Sequence, residues 1–220
     1  TYKNIEIIII DDGSTDEFTL LKLKKLNLPN TKVIFQKNGG PSNARNNGIK
    51  ASKGEYILPL DSDDLIHPIY VESCIKLIER NKKYSPIYCD TVHEGQMRGL
   101  EQRPEWSKER LIEGPFIVNC SMFSREAFDM VDGYDENLKG WEDYDMWLRM
   151  MQKGYVGKRI PQALFVYFHH ESDGTVSSIA NQNTQELHER ILTKNNLKEK
   201  TPLYTNQPLS NSNNNFNMFN

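Results

Sequence analysis

Residues 5–16 read Ile-Glu-Ile-Ile-Ile-Ile-Asp-Asp-Gly-Ser-Thr-Asp, and the architecture predicted for the whole chain follows from them. The first half is a near-continuous β-branched run of strand length, which is typical of a strand buried in a parallel sheet. The second half is a cluster of turn-forming residues that ends the strand. The stretch therefore predicts a buried strand whose carboxyl end carries Asp11 and Asp12.

Strand and helix patterns alternate after this stretch. A short amphipathic helix is predicted over Leu20–Leu26 and a strand over Lys32–Phe35. A second helix is predicted from about Ser42 to Ser52, with Pro41 as its first residue, and a third strand over Glu55–Leu60. This order predicts an α/β fold that begins with a right-handed βαβαβ unit on a mostly parallel central sheet flanked by helices.

Further periodic segments follow, and then the composition changes. Helices are predicted over residues 68–81, 108–112, 124–131 and 141–153, and strands over residues 87–92, 116–123 and 163–168. From about Lys194 apolar residues become scarce, and residues 206–220 are rich in Asn and Ser. We therefore expect one domain over residues 1–194 and a disordered tail over residues 195–220.

Composition and charge exclude several classes of protein. The 220 residues are 37% hydrophobic and 26% charged with a net charge of −3, so nothing favours nucleic acid as the main partner. No apolar run approaches the ~20 residues of a transmembrane helix, and no signal peptide is recognisable. Cys74, Cys89 and Cys120 are odd in number and widely spaced, as expected for reduced core residues. The expected location is the cytoplasm.

Residues 61–64, Asp-Ser-Asp-Asp, place three carboxylates just after the third predicted strand. Such a concentration of charge requires compensation by a cation or by backbone amides. One interpretation is a Mg²⁺ or Mn²⁺ site that also holds substrate phosphates. The other is a helix start near Leu65 that is capped by Asp63 or Asp64.

The two acidic clusters are expected to meet. Asp11 and Asp12 also follow a predicted parallel strand, and ligands bind beyond the carboxyl ends of such strands. Both clusters should therefore lie at one edge of the sheet. Asp11 and Asp12 are suited to accept hydrogen bonds from a nucleoside base and ribose, although an ordinary polar turn would have the same composition.

Three further groups are candidates for chemistry. Glu142 and Asp143 open a predicted helix, where a carboxylate either serves as a general base or stabilises the helix dipole. Trp141 beside them offers an aromatic face for a sugar or a side chain for the core. His169-His170 follows the last predicted strand as a metal or phosphate contact or as a structural pair. Arg45 either reaches a phosphate or base or lies on a helix surface.

Taken together, these stretches resemble family 2 glycosyltransferases of the GT-A fold. The resemblance covers roughly residues 1–171 and consists of motifs in the family's order, at residues 2–16, 38–48, 54–64, 133–136 and 141–149. It implies an inverting, hexosyltransferase-type enzyme that moves a sugar from a nucleotide sugar, usually UDP-linked, to an acceptor hydroxyl. The acceptor, whether glycan, lipid or protein, is left open.

The resemblance also implies roles for the residues that match its donor-binding motifs. Asp12 would contact the base of the nucleotide sugar, with Asp11 nearby and Arg45 approaching the nucleotide. Asp61 and Asp63 match the DxD pair that holds Mn²⁺ or Mg²⁺ against the diphosphate, and Asp61 also faces the donor.

The later motifs match the acceptor side of the family's site. Asp143 matches the catalytic base and Glu142 its neighbour, with Trp141 beside them for the acceptor. His170 matches a position that contacts metal or diphosphate. The base would take a proton from the acceptor hydroxyl during a single in-line displacement.

One departure from the family pattern raises two alternatives. Members usually have a strand and a helix before the segment at which this chain opens, so we expect the domain to be incomplete at its amino end. An inactive or truncated sugar-nucleotide-binding remnant is one alternative. A nucleotidyltransferase is the other, although it would need a Gly-rich basic loop near the first strand, and the sequence shows none.

Overall fold

The structure, a computed structural model, describes residues 1–170 and 184–198. In the described residues, no helix has the length and apolar character needed to cross a membrane. The strands are β1 (Ile7–Asp11), β2 (Thr31–Phe35), β3 (Tyr56–Ile57), β4 (Leu65–Ile66), β5 (Tyr84–Gly95), β6 (Gly99–Glu101), β7 (Phe123–Ser124) and β8 (Val156–His169). The helices are α1 (Glu17–Lys25), α2 (Pro41–Ala51), α3 (Tyr70–Arg80), α4 (Lys108–Glu113), α5 (Arg125–Met130), α6 (Glu142–Gln152) and α7 (Thr184–Lys194).

The β1–α1–β2 unit forms, but the prediction of a buried first strand is wrong. Ile7 is 47% exposed and residues 8–10 are only partly buried, because β1 lies in a sheet of two strands. β1 and β2 pair in parallel, with Asp11 opposite Phe35 at their carboxyl ends. Asp16 caps α1 by accepting a 2.7 Å hydrogen bond from the Thr19 N–H, which satisfies one free donor of the helix start. This unit positions Asp11, which is buried, and the loop that begins at Asp12.

The third predicted strand is wrong in length and direction. Only Tyr56 and Ile57 form a strand, and β3 pairs antiparallel with β7. Pro59 lies just beyond it and has no N–H to donate to a ladder. The expected βαβαβ unit on one parallel sheet is therefore not formed, although the α/β class is confirmed.

The largest sheet has the order β4-β8-β5-β6. Its central pair, β5 and β8, is parallel and runs from Tyr84 opposite Val156 to Gly95 opposite His169. The short strands β4 and β6 cover its two edges in antiparallel direction. β5 and β8 are both longer than the predicted strands, and β4, which was not predicted, occupies the position where a helix start was one interpretation.

Residues 116–123 do not form the predicted strand. Only Phe123 and Ser124 are in a strand, and Met122 makes an isolated bridge to Ile87. The Ser121 N–H donates to the Asn119 carbonyl at 2.6 Å, so the apolar chain turns here instead of extending. The turn directs Asn119 toward Asp61, whose carboxylate it contacts.

Two clusters of buried side chains form the core. One surrounds α6, where Tyr144 and Trp147 pack with Phe123 and with side chains of α5 and α7. The other lies between α3 and the largest sheet, and it contains the three cysteines, which are buried and free as predicted. Burial raises the pKa of all three thiols, which keeps them protonated and unreactive.

The described chain continues past residue 194 on the surface of the first cluster. Leu197 is buried in it, and the Asn195 side chain donates to Asp145 at 2.9 Å. Of the expected disordered tail, residues 199–220 lie outside the described residues.

Candidate active site

Asp61 lies at the centre of a hydrogen-bonded group contributed by distant parts of the chain. Its carboxylate accepts hydrogen bonds from Arg45 Nη2 at 3.0 and 3.2 Å and from Asn119 Nδ2 at 3.3 Å. The Asp61 side chain is nevertheless 45% exposed, so it remains accessible to a ligand.

Arg45 connects Asp61 to the start of α6. Its Nη1 donates to Glu142 Oε1 at 2.5 Å, while its guanidinium carbon lies 5.7 Å from the centre of the Tyr134 ring. Burial would lower the pKa of Arg45, but the charges of Asp61 and Glu142 outweigh it and raise that pKa, so the guanidinium stays charged. Through this one side chain, Asp61 and Glu142 belong to a single hydrogen-bonded group.

Asp143 occupies the first turn of α6, directly after Glu142. Burial raises the pKa of Asp143 to about 7, and the negative charge of Glu142 adds to the effect. Arg45 and the backbone N–H groups of Tyr144 and Asp143 act in the opposite direction. A carboxylate with such a pKa is matched to proton transfer at neutral pH.

Trp141 precedes this turn in a left-handed conformation, with φ of 55°. Its ring makes edge contacts with Tyr144 and His188 and packs on the core cluster around α6. The packing interpretation is confirmed for Trp141, whereas contact with an acceptor stays a prediction.

Asp63, two residues after Asp61, meets His170 from the end of the described segment. His170 Nε2 lies 3.0 Å from Asp63 Oδ2, and both side chains are about half exposed. The neighbouring Asp64 is turned inward, where it accepts the Phe168 N–H at 3.1 Å. Burial raises the pKa of Asp64 to about 7, assisted by the charges of Asp63 and Asp61.

The helix-cap interpretation of this acidic cluster is wrong. α3 starts only at Tyr70, with Ile69 as the preceding residue and no side-chain cap. His169 is also separated from the pair, because its Nε2 lies 2.8 Å from Nδ1 of His93, which contacts Glu101. Only His170 of the two histidines reaches the acidic cluster.

The chemistry of Asp63 and His170 suits a hard divalent cation. Over residues 1–170 and 184–198, no three His, Cys, Asp or Glu side chains form a ready-made metal cluster. Mg²⁺ and Mn²⁺ in nucleotide sites, however, typically use one or two protein carboxylates together with substrate phosphates. An exposed carboxylate beside an imidazole, with the Asp61 carboxylate close in sequence, fits that requirement.

Asp12 holds a loop in place. Its Oδ1 accepts hydrogen bonds from Gln36 Nε2 and the Gly39 N–H, and its Oδ2 accepts one from the Gly40 N–H, all at 2.8 Å. Gly40 immediately precedes α2, the helix that carries Arg45. α2 thus connects the loop held by Asp12 to Asp61. The predicted meeting of the two acidic clusters at one edge of a parallel sheet is wrong, because β1 and β3 belong to separate sheets and β3 is antiparallel. Nucleotide contacts of Asp11 and Asp12 stay predictions.

Several polar residues of the site were not identified from the sequence. Asn119 was missed because it lies in an apolar stretch, and the pattern Asn119-Cys120-Ser121, which fits a glycosylation sequon, does not indicate an active site. Tyr134 and Glu136 lie in a matched motif, but only the non-local contacts with α2 show what they do.

Two bacterial polysaccharide synthases are similar in sequence to most of this chain. Chondroitin synthase from Pasteurella multocida (strain Pm70) is 30% identical over 203 residues, which are 90% of this chain and 20% of that protein. Hyaluronan synthase from Pasteurella multocida is 33% identical over 160 residues, which are 70% of this chain and 16% of that protein. The chain thus spans a fifth or less of the length of these two relatives.

The fold agrees with that of a solved structure. The crystal structure of S. aureus TarS 1-349 in complex with UDP-GlcNAc has a TM-score of 0.66 to this chain at 23% identity. The match covers 86% of this chain and 57% of that chain. The likeness confirms the GT-A fold expected from the motifs.

Family models match both halves of the chain. A model described as the N-terminal domain of galactosyltransferase matches residues 116–173, which include the start of α6 and all of β8. The model of glycosyl transferase family 2 matches residues 1–131, which include α2 and the acidic residues at 61–64. With more than half of its 220 residues matched by the latter model, the chain belongs to glycosyl transferase family 2.

Proposed function

We propose that this chain transfers a sugar from a UDP-linked donor to an acceptor hydroxyl, with Mn²⁺ or Mg²⁺ as cofactor and with inversion at the anomeric carbon. The observation that carries the proposal is the double contact of Arg45 with Asp61 and Glu142. Arg45 thereby contacts both Asp61, a candidate donor-binding carboxylate, and Glu142, the neighbour of the candidate base Asp143. Two relatives are named synthases of chondroitin and hyaluronan, and the similar TarS structure holds UDP-GlcNAc.

The proposed reaction assigns a distinct task to each part of the site. Asp143, with its raised pKa, accepts the proton of the acceptor hydroxyl as the oxygen attacks the anomeric carbon. Asp63 and His170, with Asp61, would hold the metal. The bound metal supplies positive charge that stabilises the departing diphosphate. Asp12 supports the donor side by fixing the loop at Gly39 and Gly40.

A donor screen tests the function. Incubation with a panel of UDP-sugars and Mn²⁺, in the presence of mono- and oligosaccharide acceptors, is expected to release UDP with at least one donor. Transfer should be accompanied by inversion, which NMR of the product's anomeric proton detects. Binding of UDP by calorimetry without any release would instead identify a sugar-nucleotide-binding module, and absence of binding would contradict both functions.

Asp63→Asn is expected to weaken Mn²⁺-dependent UDP binding by about 10- to 100-fold. Loss of a residue that only hydrogen-bonds to a metal ligand already lowers metal affinity by about this factor. The reason is that Asn cannot supply an anionic oxygen beside His170. Calorimetric titration of UDP with and without Mn²⁺ measures the effect.

Asp64→Asn is the matched control for Asp63→Asn. Its Oδ1 can still accept the Phe168 N–H, and Asp64 is buried, whereas the Asp63 and His170 side chains are about half exposed. The metal assignment fails if Asp64→Asn loses Mn²⁺-dependent binding while Asp63→Asn retains it.

A further inference from the structure

Asn46 forms a two-way contact with the backbone of Tyr134. It lies on α2, is buried, and donates from Nδ2 to the Tyr134 carbonyl at 2.9 Å. Its Oδ1 accepts the Tyr134 N–H at 3.0 Å. A primary amide carries donor and acceptor side by side, so it can satisfy both backbone groups of one residue, whereas a carboxylate cannot.

The chain around Tyr134 is shaped for this contact. Gly133 has φ of +70°, and a Cβ added there would lie 2.8 Å from Asn46 Oδ1 and 2.7 Å from the Phe128 ring. Asn46 Nδ2 also donates to Glu136 Oε1 at 2.9 Å, and Asn43 Nδ2 donates to Glu136 Oε2 at 2.8 Å. Two asparagines of α2 thus hold the segment just after Gly133.

The same helix also holds the far end of this segment. Arg45, the neighbour of Asn46, binds Glu142, and its guanidinium lies over the Tyr134 ring. Residues 133–142 are therefore anchored to α2 at both ends, and Asp143 follows directly. A displacement at the Asn46 end would be passed along the segment to the first turn of α6.

We propose that Asn46 is a positioning residue for sugar transfer, which fixes residues 133–142 so that Asp143 keeps its place opposite the donor. The proposal rests on the proposed function. Within the part of the chain that the structure describes, the side-chain hydrogen bonds of Asn46 go to Tyr134 and Glu136 and not to Asp12 or Asp63. Loss of the contact should consequently impair turnover more than donor binding.

Asn46→Asp tests this role with a side chain of the same shape. The variant can still accept the Tyr134 N–H, but an oxygen replaces the donor that faces the Tyr134 carbonyl and the Glu136 carboxylate. We expect kcat to fall by about 10²-fold, as for a small misplacement of a reacting group, without a comparable rise in donor KM. Steady-state kinetics with the donor varied separates the two parameters.

Two further variants control for repulsion and for folding. Asn43→Asp places the same charge against Glu136 but leaves the Tyr134 contact intact, so its loss of kcat should be much smaller. In Asn46→Asp/Glu136→Gln, the new amide can donate to the new carboxylate, and part of kcat should return. If Asn46→Asp does not fold, the comparison of this double variant with Glu136→Gln carries the test.

A spectroscopic readout separates this inference from the proposed function. In protein labelled with 5-fluorotryptophan, Asn46→Asp should shift the ¹⁹F resonance of Trp141, which lies in the anchored segment. The resonance of Trp106, which packs near Gly157, should not move. An unmoved Trp141 signal, an equal kcat loss in Asn43→Asp, or a parallel rise in donor KM would overturn the positioning role. Lack of transfer by the unmodified chain would overturn the proposed function alone.

Discussion

Asp143→Asn is expected to lower the rate of sugar transfer by about 10²- to 10⁴-fold, the usual contribution of a positioned general base. The amide has nearly the same shape as the carboxylate but cannot take the proton of an acceptor hydroxyl. UDP binding should be retained, because the candidate donor contacts at Asp12, Asp61 and Asp63 are unchanged. Transfer and calorimetric titration, measured on the same preparation, would show the separation of the two functions.

The raised pKa of Asp143 adds a pH signature to this prediction. Since the base must be ionised, kcat/KM should fall as the pH decreases below about 7, the pKa that burial and Glu142 produce. The residual activity of Asp143→Asn should lack this acid limb. A pH–rate profile that is identical in both proteins would assign the limb to another group.

The same pKa predicts the effect of Asp143→Asn on stability. The ordinary pKa is 3.8, so between this value and about 7 the folded state binds more protons than the unfolded state. Stability contributed by this group therefore falls as the pH rises through that window. Above pH 7, Asp143→Asn should melt at a higher temperature than the unmodified protein, and at pH 4 the difference should vanish.

Asp129→Asn is the matched control for both measurements. Asp129 is an exposed aspartate of α5, and its removal changes the net charge equally. It should leave transfer and melting temperature unchanged. Full transfer by Asp143→Asn would refute the base assignment, and equal stabilisation by Asp129→Asn would attribute the stability effect to net charge.

Local patterns in the sequence predicted those features that neighbouring residues determine. As expected, the β-branched run forms strand β1, Pro41 begins α2 and Ser124 caps α5. Each depends on contacts within a few residues, where propensity and capping are decisive. Residue types with evident chemistry, such as Asp61 and Asp143, were also identified.

Features set by distant contacts could not be predicted in this way. Arg45 contacts Glu142 across 97 positions, and the sequence left it open whether Arg45 lies on a helix surface or in a site. β3 was expected in a parallel sheet but pairs antiparallel with β7. The expectation failed because an apolar run indicates burial and does not specify the partner strand. Residues 116–121, which were expected to extend as a strand, turn instead and bring Asn119 to Asp61.

α2 explains why separate motifs of the sequence form one site. The backbone N–H of Gly40, just before α2, donates to Asp12. Within the helix, Arg45 holds Asp61 and Glu142, and Asn46 holds Tyr134. A rigid helix thus sets the spacing between the proposed donor and acceptor sides, and substitutions on its inner face should affect both.

Arg45→Met is expected to have the largest effect on stability, because it leaves the nearly buried Glu142 without its cation. Removing one partner of a buried ion pair typically costs about 3–5 kcal/mol. We expect a loss of stability near the lower end of this range, since the exposed Asp61 can be hydrated by water when Arg45 is removed. Arg45→Lys should restore little, because one ammonium does not reproduce the fork that binds both carboxylates. Chemical denaturation measures each variant.

A second substitution distinguishes loss of the ion pair from loss of packing. In Arg45→Met/Glu142→Gln the uncompensated buried charge is gone, so much of the stability should return. Lys50→Met, which removes an exposed cation from the same helix, should have little effect. If the double variant is no more stable than Arg45→Met, the stabilising effect of Arg45 comes from its contact with the Tyr134 ring instead of from compensation of the Glu142 charge.

Arg45 also links stability to catalysis. Its positive charge lowers the pKa of Asp143, opposing burial and Glu142. Arg45→Met should therefore move the acid limb of the pH–rate profile to higher pH. Removing the Glu142 charge in the double variant should move it back, because that charge raises the same pKa.

An acid limb that stays fixed in both variants would show that Arg45 and Glu142 do not act on the group that titrates. Restored stability without restored transfer would instead show that the Arg45 cation has a role in turnover beyond balancing Glu142.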